Sequence, residues 1–242
     1  MSSRPISLIR SHVVAVAGFA LLASAGSARA DIVYIGENTV PGQFSGSVEV
    51  RSQTTTSAVI EVKLTNISTP LSNGGYLTGF AFNDPNTASK GNISGVTSYT
   101  TTYSPPTGQA FTLLGAPTFT NTVSTSPYGN FDIGAAVGGD WLGGGMPQDG
   151  LAIGETGTFT FVVSGYNLTN LSAANLLAAT SSNYTAGFVV RFRGFTDGSS
   201  DKDIAGIICP PPPPPGAVPA PPGLVLAGMG FGCLLLGRLR RK

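Results

Sequence analysis

The chain has 242 residues, of which only 10% are charged, compared with about a quarter in an average soluble domain. Between Asp31 and Ile208 it carries 12 acidic and six basic residues, and this formal charge of −6 disfavours nucleic acid as a partner. The single histidine is His12, so the remaining sequence cannot supply a Ser-His-Asp or Cys-His catalytic site or a histidine-containing zinc site. We therefore expect a body that is not an enzyme and needs no cofactor.

Residues 1–30 have the pattern of a secretory signal peptide. The first twelve residues contain two arginines, and an apolar stretch follows at 13–25. Small residues at Ala28 and Ala30 form a cleavage site that places the mature N-terminus at Asp31. An uncleaved anchor is the alternative, but the apolar stretch is short for a hydrocarbon layer of about 30 Å. The pattern predicts export through the secretion translocon and cleavage by signal peptidase.

The body, residues 31–208, is dominated by alternation of apolar and polar residues, which is typical of antiparallel strands with one buried face. The clearest alternation lies at 44–51, 58–65, 158–164 and 188–193. Further strands are predicted at 76–82, 96–103, 111–114, 119–123, 131–137 and 204–208. Short strands separated by turn residues predict an all-β fold, an antiparallel β-sandwich of jelly-roll type.

One segment of the body has helical rather than strand character. Residues 171–179 are rich in alanine and leucine, and Asn170 or Ser172 can cap the first turn. We predict one short helix on the sandwich.

A glycine-rich segment after the predicted strand 131–137 contains the only tryptophan, Trp141. A solvent-facing tryptophan on a sandwich can stack on a sugar ring, because the two apolar faces lose water together. The alternative is that Trp141 fills one end of the core. Trp141 is the one ligand-contact candidate that the sequence of the body provides.

Charged residues cluster near the end of the body. Oxygen ligands at 197, 199, 201 and 203 could begin a calcium loop, but Lys202 occupies the position of the expected turn glycine. A polar hairpin turn is the alternative, and we expect no metal site.

Arg191 and Arg193 share one face of a predicted strand, where we expect them opposite acids such as Glu49 or Glu61.

The last 34 residues form three successive segments. Residues 209–217 are a proline-rich spacer, and the stiff proline-rich run through residue 222 reaches about 40 Å. An uncharged run at 223–237 follows, about 22 Å long as a helix. The chain ends in a basic cluster formed by Arg238, Arg240, Arg241 and Lys242. Basic residues remain on the cytoplasmic side of a membrane, so the body is expected outside.

This order of proline motif, apolar helix and basic cluster resembles the PEP-CTERM sorting signal of Gram-negative bacteria. The family motif is Val-Pro-Glu-Pro, and here Val218, Pro219, Ala220 and Pro221 stand in its place, with Ala220 replacing the glutamate. The resemblance implies that residues 218–242 are recognised by an exosortase, a membrane-embedded cysteine protease and transpeptidase. Cleavage near the motif would release the body or transfer it to an extracellular polymer. A plain C-terminal membrane anchor is the alternative.

Together these patterns predict an exported, non-enzymatic protein of the cell envelope or extracellular matrix, held in the inner membrane until it is sorted. Its expected partners are signal peptidase, the translocon, an exosortase-like transpeptidase and extracellular polysaccharide. A carbohydrate-binding or adhesive module is the alternative. A glycoside-active enzyme would need two carboxylates that face one cleft about 5–10 Å apart.

Overall fold

A computed structural model describes residues 31–37, 41–69, 74–142, 145–182 and 186–208. The predicted signal peptide, proline-rich spacer, sorting signal and apolar helix 223–237 lie outside these residues. Among the residues that are described, no helix combines the length and the apolar character needed to cross a membrane.

The described chain is an antiparallel β-sandwich with one short α-helix, as its alternation predicts. The strands are β1 (Asp31–Glu37), β2 (Phe44–Gln53), β3 (Ser57–Asn66), β4 (Gly74–Phe82), β5 (Asn92–Thr101), β6 (Phe111–Leu114), β7 (Val123–Ser124), β8 (Asn130–Phe131), β9 (Ile133–Val137), β10 (Thr156–Tyr166), β11 (Phe188–Phe195), β12 (Ser200–Ile204) and β13 (Gly206–Ile207). The first sheet has the order β13-β1-β2-β3-β10-β5, and the second has the order β12-β11-β4-β9-β6. Strands β7 and β8 form a separate two-stranded ribbon.

The core lies between the two sheets and is rich in phenylalanine. On β10, Phe159 and Phe161 point inward while Thr158 and Thr160, which alternate with them, face outward, as period-two alternation requires. Across the core, the Phe80 ring of β4 lies 4.7 Å from Phe159, and the Phe82 ring lies 5.4 Å from Phe161. These aromatic contacts join the middle of one sheet to the middle of the other.

A second, smaller hydrophobic cluster covers the outer face of the second sheet. Its floor consists of small residues whose neighbours in the strand point into the main core, such as Ala81 of β4 and Ala136 of β9. Residues from the segments 114–131 and 138–142 pack on this floor, and Trp141 is among them. The outer face of the second sheet is therefore largely covered, although simple alternation predicts that it faces water.

The helix α1 (Ala173–Ala178) confirms the predicted helical segment. Its cap is Ser172, whose Oγ accepts a hydrogen bond from the backbone N–H of Asn175 at 3.0 Å. Asn170, the other candidate cap, belongs instead to the preceding 3-10 turn.

Three strand predictions need correction. The predicted strand 119–123 is wrong except at its last residue, because Phe119 and Asn121 adopt left-handed backbone angles with φ near 50°. The predicted strand 131–137 is interrupted at Asp132 and contributes to two different sheets. The predicted strand 204–208 also divides, since β12 ends at Ile204 in one sheet and β13 pairs with β1 in the other.

Candidate functional site

A cavity of about 340 Å³ lies at one end of the second sheet. Three loops meet there: the loop after β4, the loop before β7 and the residues that follow α1. The wall carries carboxylates, amides, hydroxyls and one ammonium group, contributed by Asp84, Asp132, Asn86, Asn121, Thr120, Thr180 and Lys90. A concave site with several converging polar groups is the usual form of a small-molecule site.

Asp132 holds this cavity together. Its Oδ2 accepts a hydrogen bond from the backbone N–H of Asp84 at 2.8 Å, and its Oδ1 accepts one from the N–H of Asn121 at 2.6 Å. The residue is only 8% exposed. One buried carboxylate therefore ties the loop after β4 to the loop before β7, and it satisfies two backbone donors that would otherwise be costly to bury.

Asp84 is the neighbouring carboxylate and is 9% exposed. Its pKa is raised from 3.8 to about 6, mainly by burial and to a smaller extent by the nearby charge of Asp132. A backbone hydrogen bond from Ile93 to Oδ1, at 2.9 Å, acts in the opposite direction by favouring the charged form. The protonation of Asp84 therefore changes close to neutral pH.

Two carboxylates that line one cleft are the feature that a glycoside hydrolase would require. Both oxygens of Asp132, however, already accept backbone N–H groups, so this carboxylate is oriented toward the protein. The arrangement is better suited to binding, since amides, hydroxyls and carboxylates can together donate to and accept from a polyhydroxylated ligand.

A second cavity, of about 260 Å³, lies beside Trp141 and is also lined by Asp140 and Leu142. Trp141 is only 4% exposed, which excludes a solvent-facing stacking platform and agrees with the alternative of a buried side chain, although the indole packs in the smaller cluster and not in the main core. The indole lies on the small-residue floor of the second sheet, where a Cβ built on Gly79 would be 3.3 Å from its Cζ3. The small residues beneath the indole are distant from Trp141 in sequence, so the residues around Trp141 in the sequence do not indicate its burial.

Arg191 and Arg193 share one face of β11 as predicted, but the acidic partners expected for them are wrong. Glu49 and Glu61 lie on the first sheet, where both pair with Arg51 at 3.4 and 2.9 Å. Arg191 and Arg193 lie on the outer face of the second sheet and donate to the carbonyl oxygens of Leu142 and Gly145.

The acidic segment 197–203 forms a shorter hairpin turn than predicted. Asp197 lies in the turn and accepts the N–H of Ser199 at 2.9 Å, whereas Asp201 and Asp203 belong to β12. The four candidate oxygen ligands are thus divided between a turn and a strand. In the part of the chain that is described, no group of three acidic, histidine or cysteine residues is arranged to hold a metal ion.

Asp203 lies close to Glu37 and Asp201, where the two sheets approach each other at one edge. The pKa of Asp203 is raised from 3.8 to about 7, mainly by burial and to a smaller extent by the charges of Asp201 and Glu37. Its Oδ2 is buried without a hydrogen-bond partner. This edge of the sandwich is therefore less stable when Asp203 is ionised.

Of the residues predicted to direct processing, Asp31 alone is described. It begins β1, and its Oδ2 accepts a hydrogen bond from the backbone N–H of Ala173 at 2.6 Å. The predicted cleavage site at Ala28 and Ala30, and the sorting residues from Val218 to Lys242, lie outside the described residues.

Sequence reasoning did not find Asp84 and Asp132 as partners. Asp84 stands before Pro85 and reads as a turn residue, and Asp132 stands inside a predicted strand. Only the fold brings these two positions together. Comparison of the chain with protein-family models, with curated proteins and with solved structures gives no match in any of the three.

Proposed function

We propose that this chain is an exported, non-enzymatic protein of the cell surface or extracellular matrix, sorted through residues 218–242 and associated with extracellular polysaccharide. The observation that carries the proposal is the pairing of β13 with β1, which brings both ends of the described body to one edge of the first sheet. Strand β13 ends at Ile207, just before the proposed proline-rich spacer.

The contacts of both terminal strands support this assignment. The carboxylate of Asp31 is held by the backbone of α1, and β13 pairs with β1 through Ile35 and Ile207. The N–H of Ile208 donates to the carbonyl of Tyr34 at 3.0 Å. Both ends of the body are thus held at the same sheet edge, which suits a folded cargo whose leader and tail are removed.

Intact-mass measurement of the protein recovered from outside the cell tests the sorting proposal. The mature chain should begin at Asp31 and end near the motif formed by Val218 to Pro221. Deletion of Arg238–Lys242 should leave a heavier chain that stays in the membrane, whereas replacement of the three arginines by lysine should preserve processing, because the charge is retained. An unchanged mature mass after the deletion would disprove sorting through this segment.

The polar cavity at Asp84 favours a second candidate function, carbohydrate binding. Its volume of about 340 Å³ lies within the usual range for small-molecule sites, and its wall is polar. A glycan array probed with the full-length chain and with the Asp84→Asn variant tests this function. Binding that is lost in the variant supports it, and equal binding by both chains contradicts it.

A further inference from the structure

Three positive charges are gathered on the outer face of the second sheet. Arg191 and Arg193 alternate with the core residue Phe192 on β11, and Lys202 of β12 is the direct strand partner of Arg191. These three are half of the six basic residues in a body whose formal charge is −6. The patch therefore opposes the charge of the rest of the body.

The guanidinium of Arg191 is buried without adequate partners. The residue is 7% exposed, and its Nη2 donates to the carbonyl of Leu142 at 2.9 Å, while Nε and Nη1 have no hydrogen-bond partner. No carboxylate of the described residues lies within 4 Å of it, and Asp140 acts on it from farther away. Burying a cation in this way is costly unless an anion accompanies it.

Neighbouring positive charges increase the free-energy cost of burying the Arg191 guanidinium. Burial lowers the pKa of Arg191, the neighbouring Arg193 lowers it further, and Asp140 partly offsets both. The pKa of Lys202 is lowered by burial and by the charge of Arg191. Among the described residues, the ammonium of Lys202 donates to a neutral acceptor, the carbonyl of Ser126. Arg191 and Lys202 thus lie side by side with neutral hydrogen-bond acceptors, and Asp140 is the carboxylate that acts on Arg191.

A third unpartnered donor belongs to Trp141, the residue before Leu142, whose carbonyl accepts from Arg191. The indole Nε1 of Trp141 is buried and has no acceptor. Its ring packs over Gly79, which is the strand partner of Arg191 on β4. Trp141, Leu142 and Asp140 line the cavity of about 260 Å³, and Arg191 is joined to its wall by the hydrogen bond to the carbonyl of Leu142.

We propose that the outer face of the second sheet binds an oxyanion at Arg191 and Trp141, and that the oxyanion is the carboxylate of an acidic sugar. Arginine and tryptophan side chains only donate hydrogen bonds, so the missing ligand must bring acceptors, and the adjacent cations Arg191 and Lys202, whose described acceptors are neutral, require that it carry negative charge. The choice of an acidic sugar rests on the proposed association with extracellular polysaccharide. The anion itself is inferred from the geometry alone.

Trp141 is the only tryptophan, so its fluorescence reports on this site alone. The purified full-length chain is titrated with sodium galacturonate, and with galactose as a matched neutral sugar. We expect a saturable change in emission with galacturonate, weakened by added salt, and none with galactose. A response to both sugars, or to neither, overturns the proposal. A response to inorganic phosphate but not to galacturonate overturns the assignment to acidic sugars.

Arg191→Met tests the role of the guanidinium. Loss of a hydrogen bond to a charged group should weaken galacturonate binding by about 10- to 100-fold. The same variant should melt at a higher temperature than the wild type without ligand, because it removes an uncompensated buried charge. Arg51→Met on the first sheet is the control and should leave binding unchanged. Equal binding by the wild type and Arg191→Met overturns the proposal.

Trp141→Phe provides a test that does not depend on the folding of the arginine variant. It keeps an aromatic ring on Gly79 but removes the N–H, and thermal shift by galacturonate replaces fluorescence as the readout. A smaller shift than in the wild type is expected, and an undiminished shift contradicts the role of Trp141. These measurements use purified protein, so their failure is distinct from a failure of sorting, which is measured in cells.

Discussion

The outer faces of the two sheets differ although both follow the same alternation. On the first sheet, Thr158 and Thr160 of β10 face outward and Arg51 pairs with two glutamates. On the second sheet, small residues form a floor that loops cover, and Arg191 is buried beneath them. Both cavities described above border the second sheet or its loops. Features that could bind a ligand are thus concentrated where the sheet surface is covered rather than open.

The largest expected effect separates the two faces directly. Trp141→Ala should destabilise the fold by about 3–5 kcal/mol, because it removes a large buried side chain from the second hydrophobic cluster. Thr160→Ala, on the open face of the first sheet, should change stability by less than about 0.5 kcal/mol. Urea unfolding of both variants measures the difference. Similar losses would show that the covered face is not a packed layer.

The Asp132 clamp should give the next largest effect. Asp132→Ala leaves the N–H groups of Asp84 and Asn121 without their acceptor and should cost about 2–4 kcal/mol in the free energy of unfolding. Asp132→Asn keeps one acceptor oxygen and should cost less. If Asp132 were catalytic instead, Asp132→Asn would abolish hydrolysis of a glycoside with little loss of stability. Unfolding and activity measurements on the two variants separate these roles.

A pH titration compares the edge of the sandwich with the polar cavity. The folded-state pKa values of Asp203, about 7, and Asp84, about 6, both exceed the unfolded value of 3.8. The folded state therefore binds more protons, and stability should fall as pH rises from about 4 to about 7 and level off above that. Asp203→Asn should remove the slope between about pH 6 and 7 and reduce it below pH 6, whereas Asp84→Asn should reduce only the slope below about pH 6. Unfolding free energies across this range provide the measurement, and a flat profile in the wild type would contradict both shifts.

The smallest effect is expected on the open face. Arg51 is half exposed in its pairs with Glu49 and Glu61, so Arg51→Gln should lower stability by less than about 1 kcal/mol. Added salt should reduce even this effect, since exposed charges are screened. A double-mutant cycle with Glu61→Gln measures the pair. A coupling well above this value would show that the first sheet also depends on charge.

The sequence predicts the sandwich wherever one face of a strand is apolar along its whole length. The alternation at 58–65 and 158–164 identifies the buried faces of β3 and β10. This works because the face of the sheet to which a side chain points depends only on its position along the strand. The strand 204–208 was predicted as one piece, and local alternation gives no sign that the chain changes sheets at Ala205. Strand β1, at the start of the body, was not predicted.

The candidate sites were less predictable for a related reason. The burial of Trp141 depends on Gly79, Ala81 and Ala136, which are small residues on two other strands. The pairing of Asp132 with Asp84 depends on loops 48 residues apart. Composition and motifs describe neighbours along the chain, whereas these sites arise from contacts between distant segments.

The position of β13 determines how the body would respond to a pull on its tail. Force applied beyond Ile208 would enter the sandwich through a strand of two residues at the edge of the first sheet. Those few bonds to β1 would break first, and β12, with five residues paired to β11, would carry the load next. A tethered body would thus lengthen by a short, reversible peeling of its edge before the phenylalanine core is disturbed. The short last strand would therefore separate under force before the load reaches the core.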